Sequence, residues 1–362
     1  MCGLGGSPNT LWRKAMSLSP QSSRRLQKFK SLKRGYYSFI IICTLILMSL
    51  GAELLVNNRP LIIQYDDQFY FPTYGDILPG TTFGYDYQWE TDYRQLKQTF
   101  ENGENSNWLL MPAIPFNPFE NNFIEGKYPP YEPSISEQHY LGTDMAGRDI
   151  LARLIYGFRI AILFSLFLLL TTYVIGVSLG AFMGFLGGTF DLVFQRVIEM
   201  LSNVPILYII MIVASIITPN FWTLALLLAA FSWMGLTWYM RTETYRENTR
   251  EYVLAARAIG ASNSRIMFKH ILPNSVSILV TFFPFSVVSG ITALTSLDYL
   301  GFGLPSPTPS WGELLQQGTS NLEYQWIAAS AVAALSLVLT LVTFIGEAIR
   351  EAFDPKKYSY YE

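Results

Sequence analysis

Glu251-Tyr-Val-Leu-Ala-Ala-Arg-Ala-Ile-Gly-Ala-Ser-Asn-Ser-Arg-Ile-Met-Phe-Lys-His-Ile-Leu-Pro-Asn274 separates two long apolar runs of this chain. The stretch reads as two short helices. The first passes through Ala255, Ala256 and Ala258 and stops at Gly260, a residue type suited to the left-handed turn that closes a helix. Ser262 can then cap a second helix, which Pro273 ends. The small side chains of the first helix would let a groove of another protein approach its backbone closely. Spacing alone leaves two readings open, a docking element or an amphipathic surface loop between spans.

The runs on either side decide the fold class. A helix needs roughly 20 apolar residues to cross a bilayer core, and six stretches approach that length: 36–52, 160–182, 198–217, 221–240, 275–296 and 326–345. The third is the least clean, because Gln195, Arg196 and Glu199 crowd its start and its wholly apolar part begins near Pro205. Across 362 residues, 51% are hydrophobic and 14% charged, whereas soluble domains carry about a quarter charged. A purely soluble protein is excluded. The first span lies deep behind a basic tail with no small-residue cleavage site after it, and so reads as an anchor rather than a signal peptide.

The charges orient these spans. Residues 1–35 hold Arg13, Lys14, Arg24, Arg25, Lys28, Lys30, Lys33 and Arg34 and no acid, which places the N-terminus in the cytoplasm by the positive-inside rule. Six spans return the C-terminus to the same side. Segment 241–274, with six bases against three acids, then falls in the cytoplasm; segment 297–325, with Asp298, Glu313 and Glu323 and no base, falls outside.

Segment 57–158 becomes an external insertion of fourteen acids, six bases and nine prolines. Its alternation of aromatic and polar residues over Tyr65-Asp-Asp-Gln-Phe-Tyr-Phe-Pro72 suggests short strands, and Pro112, Pro115, Pro118, Pro129 and Pro130 break any long helix. We expect an ordered, loop-rich module with little regular structure. Its excess of acid could attract cationic peptides or dock a basic protein face, or simply form a solvated cap.

Chemistry is sparse. Spans two, four, five and six contain no ionisable residue, which argues against ion-coupled transport. Arg196 and Glu199, spaced i,i+3, read as a local ion pair near the cytoplasmic surface. No phosphate-binding loop, HExxH or GxSxG motif occurs, so the chain is not itself an ATPase, metalloprotease or serine hydrolase by motif. Cys2 and Cys43 make no disulfide framework, and with only His139 and His270 a metal site is not expected. The near-zero net charge gives no reason to expect nucleic acid.

The 251–274 stretch resembles something specific. Ala255-Ala256, Gly260 and Leu272-Pro273 look like the coupling signature of membrane subunits of ATP-binding cassette importers, in the form found in dipeptide and oligopeptide permeases. Leu254 holds the position that is acidic in the general signature, with Glu251 three residues earlier, and His270 stands where that signature has isoleucine; peptide permeases share both departures. His139-Tyr-Leu-Gly-Thr-Asp-Met-Ala-Gly-Arg-Asp149 resembles the segment preceding the core spans, before an amphipathic helix with Ile150, Leu151, Leu154 and Ile155 on one face. Leu297-Asp-Tyr-Leu-Gly-Phe-Gly-Leu-Pro305 and Pro307-Thr-Pro-Ser-Trp-Gly-Glu313 resemble the family's external loop, where Ser310 and Glu313 also suit a capping box for a helix bearing Leu314 and Leu315. The motif running from Gly346 to Pro355, the segment from Glu53 to Leu61 and the tyrosine-rich insertion are similar to Yej-type permeases of peptide and microcin C import.

The resemblance implies an all-α polytopic membrane protein with the type I importer transmembrane fold, six transmembrane helices, and a large external insertion between helices 1 and 2. Its parts would be a cytoplasmic basic tail 1–35, transmembrane helix 1 at 36–56, a periplasmic insertion 57–158, a core 159–346 containing the loop 241–274, and a cytoplasmic tail 347–362. Glu251, Ala255, Ala256, Arg257, Gly260, Ala261, Leu272 and Pro273 would couple to an ATPase. Ser310, Trp311, Gly312 and Glu313 would form an external gate or docking face, or a lid that merely closes the bundle. The implied partners are a second homologous permease, cytoplasmic ATPase subunits, a periplasmic solute-binding protein, a peptide substrate and membrane lipid. No cofactor is expected in this non-catalytic chain, ATP and Mg2+ being held by the partner ATPase. The implied location is the bacterial inner membrane with both termini cytoplasmic. An ATP-independent channel or secondary transporter, and a membrane-anchored receptor, are the competing classes.

Overall fold

A computed structural model of the chain describes residues 20–103 and 106–353. Arg13, Lys14 and Cys2 of the basic tail, and the residues 354–362 that close the final motif, lie outside the described residues. Helix α1 (Pro20–Ser31) is short and basic, and α2 (Lys33–Leu50) is the first apolar helix. After the single turn α3 (Ala52–Leu55) the chain enters the insertion.

The insertion is more regular than its prolines suggest. Strands β1 (Ile62–Tyr65), β2 (Gln68–Tyr70) and β3 (Trp108–Leu110) form an antiparallel sheet in the order β2-β1-β3, with Tyr65 opposite Gln68. The hairpin turns on Asp66 and Asp67, both at positive φ (48° and 59°), the conformation that matches the twist of the flanking strands. Helix α4 (Tyr93–Asn102), capped by Asp92, covers a small core of Ile63, Phe83, Tyr93 and Leu96.

The membrane body follows. Helix α5 (Ile150–Leu186) runs unbroken for 37 residues, about 55 Å at 1.5 Å per residue. The expected amphipathic segment at 150–155 is its first turns rather than a separate helix, because nothing in that stretch interrupts the hydrogen-bond ladder. Helices α6 (Gly188–Ser202) and α7 (Ile206–Ile216) meet at 63°. This bent pair occupies the third expected span: Pro205 disfavours a helical conformation at Val204 and so divides it. Helix α8 (Phe221–Asn248) packs along α5. Gly176, Gly180 and Gly184 of α5 line the seam, where a Cβ on Gly180 would lie 2.6 Å from Thr237 O and one on Gly184 2.5 Å from Arg241 O. Small residues at four-residue spacing are what lets two apolar helices approach this closely.

Helix α9 (Glu251–Ala258) and the turn α10 (Asn263–Arg265) form the loop, followed by a π-helical segment Ile266–Ile271, α11 (Leu272–Leu279) and α12 (Phe283–Tyr299). Pro273 therefore does not end the second helix. The widened π turn precedes it, and such a turn can accommodate a proline ring that an α-helix would exclude. Helix α13 (Trp311–Ser320) and the long α14 (Gln325–Phe353) complete the chain, with α14 packed on α2 and α13. Among the described residues, five helical stretches are long and apolar enough to span a membrane, and six if the bent pair counts as one. The body is all-α and polytopic, and its main core joins α5, α8, α12 and α14.

Candidate functional site

The loop has one fixed face and one bare face. Val253 and Ala256 turn inward and join Ile266 and Ile271 in a small core, against which Phe185 from the last turn of α5 packs. Leu254, Ala255, Ala258, Ile259 and Gly260 face outward, Ile259 with 86% of its surface exposed. Gly260 takes φ +79°; its N–H donates to Arg257 O and that of Ala261 to Ala256 O, each at 3.0 Å. This is the double hydrogen bond of a Schellman closure. A Cβ on Gly260 would meet nothing within 4 Å. Ser262 Oγ accepts from Arg265 N at 3.4 Å, so the expected cap is present but long.

Tyr252 sets the angle of α9. Its hydroxyl donates to Glu247 Oε2 at 2.5 Å and accepts from Asn274 Nδ2 at 3.1 Å, tying the loop's first turn to the end of α8 and to α11. Arg257 donates to Asn248 Oδ1 at 2.6 Å and stands over the Phe185 ring. Glu251 makes no ion pair among the described residues. A groove of about 360 Å3 beside the bare face is lined by Tyr252, Ala255, Ile259, Ala261, Arg265 and His270. Of the expected coupling residues, Glu251, Ala255, Arg257, Gly260 and Ala261 share this exposed cap, while Ala256 lies beneath it. Leu272 and Pro273 sit apart from it, in the ascending α11.

The opposite end of α5 is closed. Asp149 caps the helix, accepting from Ala152 N at 2.8 Å, and its other oxygen meets His139 Nδ1 at 2.8 Å beneath the Phe116 ring. Arg148 Nε donates to Asp144 at 2.7 Å, and its two terminal nitrogens to Ser306 Oγ at 2.8 Å and Glu313 Oε1 at 2.9 Å. Arg153 is fully buried. It donates to the second oxygen of Glu313 and to the carbonyls of Pro118, Pro307 and Thr308. Its Nε lies 3.4 Å from Asp144, within ion-pair range though without hydrogen-bond alignment. Two acids and two bases thus neutralise one another inside the protein. Burial alone would lower the Arg148 pKa, but Asp144 and Glu313 outweigh it and hold the guanidinium above its ordinary value.

The Ser310 to Glu313 stretch belongs to this clamp. Ser310 Oγ accepts from Gly312 N and Glu313 N and donates to Asp298 at 2.5 Å. The Glu313 carboxylate, which a full capping box would return to the Ser310 amide, is taken by the two arginines instead. Trp311 is buried, donating Nε1–H to Leu154 O at 2.9 Å and stacking on Phe158. A Cβ on Gly312 would lie 2.2 Å from Thr295 O, so α13 and α12 touch backbone to backbone there.

Sequence reasoning did not single out Asp144, Arg148 and Arg153, nor a second buried pair. Arg241 on α8 meets Asp191 on α6 in two bonds, Nε at 2.5 Å and Nη2 at 2.6 Å, and Tyr245 adds a third at 2.6 Å. Arg153, one turn into an apolar helix, and Arg241, at the end of another, were the available signals: a charge so placed requires a partner. The expected Arg196–Glu199 pair is present and exposed. Among the described residues no group of three potential ligands could hold a metal.

The described residues form a polytopic helical body with a bare loop at one end of its longest helix. Residues 176–358 match the family described as the binding-protein-dependent transport system inner membrane component, and the chain belongs to that family. It shares 43% identity over 342 residues with the inner membrane ABC transporter permease protein YejE of Escherichia coli strain K12, covering 94% of this chain and 98% of the relative. The peptidoglycan transport system permease protein YejE of Agrobacterium fabrum is 40% identical, over 94% of each chain. The oligopeptide transport system permease protein OppC of Haemophilus influenzae is 32% identical over 62% of this chain and 72% of its own. The chain is thus a non-catalytic, multi-pass inner-membrane permease of the peptide class of ATP-binding cassette importers, with the type I fold.

Proposed function

We propose that the 251–273 loop couples this permease to an ATP-hydrolysing subunit, and that the assembly moves peptides inward across the bacterial inner membrane. The observation that carries this reading is the bare cap of Leu254, Ala255, Ala258, Ile259 and Gly260, set beside its own groove on a loop whose angle is fixed by Tyr252. Apolar side chains exposed on a polar loop indicate a protein partner. On this reading Glu251, Ala255, Ala256, Arg257, Gly260 and Ala261 meet the ATPase, and Leu272 and Pro273 carry its movement into α11 and α12. Partner closure on ATP favours one of two arrangements of the spans, and only that difference can drive transport.

ATP and Mg2+ are held by the partner, and this chain binds no cofactor. The remaining partners are a second homologous permease, a periplasmic solute-binding protein and the peptide, with microcin C as one cargo. Both termini and the loop lie in the cytoplasm, with the 57–158 insertion in the periplasm. Ser310, Trp311, Gly312 and Glu313 act as the closed root of an external gate. Their burial makes them poor candidates for a docking face.

Gly260→Asp tests the proposal. Its backbone is disfavoured for any L side chain, yet the space is open, so the protein should insert normally while uptake of a labelled peptide into cells is abolished. Undiminished uptake with normal membrane levels would overturn coupling at this loop and favour an ATP-independent channel or secondary transporter. Gentle detergent purification should bring down an ATPase and a second permease in stoichiometric amounts.

A further inference from the structure

Helix α1 places Ser22, Arg25, Leu26 and Phe29 at spacings of three and four, and so on one face. With Phe39 of α2 and Ile349, Ala352 and Phe353 of α14, that face encloses a groove of about 370 Å3. Phe39 and Ile349 belong to apolar helices that continue into the membrane body, Phe29 meets Phe39 edge to face at 5.9 Å, and Ser22 and Arg25 are the groove's polar members, Arg25 lying against Phe353. Leu26 and Phe39 are each nearly half exposed, so the apolar part stands open.

The charges around it are one-sided. Residues 20–35 contain six bases and no acid. Lys28 meets Glu351 at 3.5 Å. Arg25 instead stands 4.5 Å over the Phe353 ring, which holds its stem while leaving its N–H donors free of any carboxylate among the described residues. Arg24, Lys30, Lys33 and Arg34 are exposed and likewise make no ion pair among the described residues.

We propose that this groove binds an anionic phospholipid of the surrounding bilayer. An acyl chain lies along Phe39, Ile349, Leu26 and Phe29, and the phosphate meets Arg25 and Arg24. Two observations favour this occupant over a soluble acidic segment. The apolar end is continuous with a membrane-spanning helix, where a lipid tail arrives without leaving the bilayer. The polar end carries positive charge on an amphipathic helix directly before a span, an arrangement that attracts anionic headgroups. The guanidinium also matches phosphate geometry better than an ammonium would. This inference requires only the membrane placement of α2 and α14 and is independent of what is transported.

The test is to reconstitute the full chain in vesicles of phosphatidylcholine with a minor share of phosphatidylglycerol, re-extract it in mild detergent, and quantify bound phospholipid by mass spectrometry. Phosphatidylglycerol should be enriched over its share in the vesicle, and the double variant Arg24→Gln with Arg25→Gln should cut that enrichment roughly tenfold. Leu26→Trp, which fills the groove and leaves every charge in place, should abolish it as well. The pair Arg24→Lys with Arg25→Lys controls for folding and should retain most of it. Enrichment that survives Leu26→Trp but falls with the charge variants would mean diffuse surface attraction and overturn the groove. Phosphatidylglycerol recovered only at its vesicle share would overturn the proposal, as would a photoreactive residue at position 26 that captures a protein subunit from native membranes instead of lipid.

Discussion

The two ends of α5 are built on opposite plans. Around Arg148 and Arg153 two bases and the acids Asp144 and Glu313 sum to zero, and the carbonyls of Pro118, Pro307 and Thr308, from two proline-containing turns, take up further donors. Near Phe185 the chain passes under a loop with exposed leucine, isoleucine and glycine, and with Glu251 and Lys269 unpaired among the described residues. The first end turns its charges on one another. The second leaves apolar side chains exposed, Ile259 most of all. A residue change should therefore damage folding at the first end and transport at the second.

Arg153→Met is the strongest way to break the comparison. It leaves two acids to share Arg148 alone, with one Glu313 oxygen deprived of its partner, and removing one partner from a buried pair costs about 3–5 kcal/mol. We expect a large fall in thermal unfolding temperature in detergent, and little protein in the membrane; an unchanged melting curve would show that the clamp is not structural. Gly312→Ala should follow, because the new methyl overlaps Thr295 O and overpacking costs about 1–3 kcal/mol. Its effect should appear in the same melting curve, together with easier proteolysis of the 299–310 loop.

Gly260→Asp should cost about 1–2 kcal/mol of local backbone strain and little global stability, although uptake is lost. Ile259→Ser sharpens the contrast most cleanly. So exposed a side chain should leave the melting temperature of the isolated chain within experimental scatter, a change under about 0.5 kcal/mol. Co-purification of the ATPase should nevertheless weaken, and a variant that binds it as well as the native chain would remove Ile259 from the interface.

Most of the membrane body was legible in the sequence, because a bilayer forces backbone groups into long apolar helices and leaves charge at their ends. The 36–52 stretch corresponds to α2, shifted by two or three residues at each end, and 326–345 lies within α14, which continues to Phe353. The bent third span was legible only as an impurity, since Gln195 and Glu199 announce polarity but not a 63° turn. Pro273 misled because the rule for proline in an α-helix does not foresee the π turn that precedes it. In the insertion, the aromatic–polar alternation after Tyr65 suggested short strands, but the third strand of the sheet lies some forty residues away, beyond any local pattern. The clamp was hidden for the same reason: Arg148 and Arg153 meet an acid more than 150 residues further on, so that even the misplaced charge of Arg153 did not name its partner. The loop's shape was legible, because helix closures and small side chains are local features.

One consequence of the glycine seam concerns mechanics. Gly176, Gly180 and Gly184 leave α5 and α8 almost no freedom to slide past each other, and α5 is a single rod from the capped Asp149 to Phe185 beneath the loop. If the loop couples as proposed, a push delivered at Phe185 would act on a helix with no break in it, and would tilt the whole strut about the clamp rather than bend it.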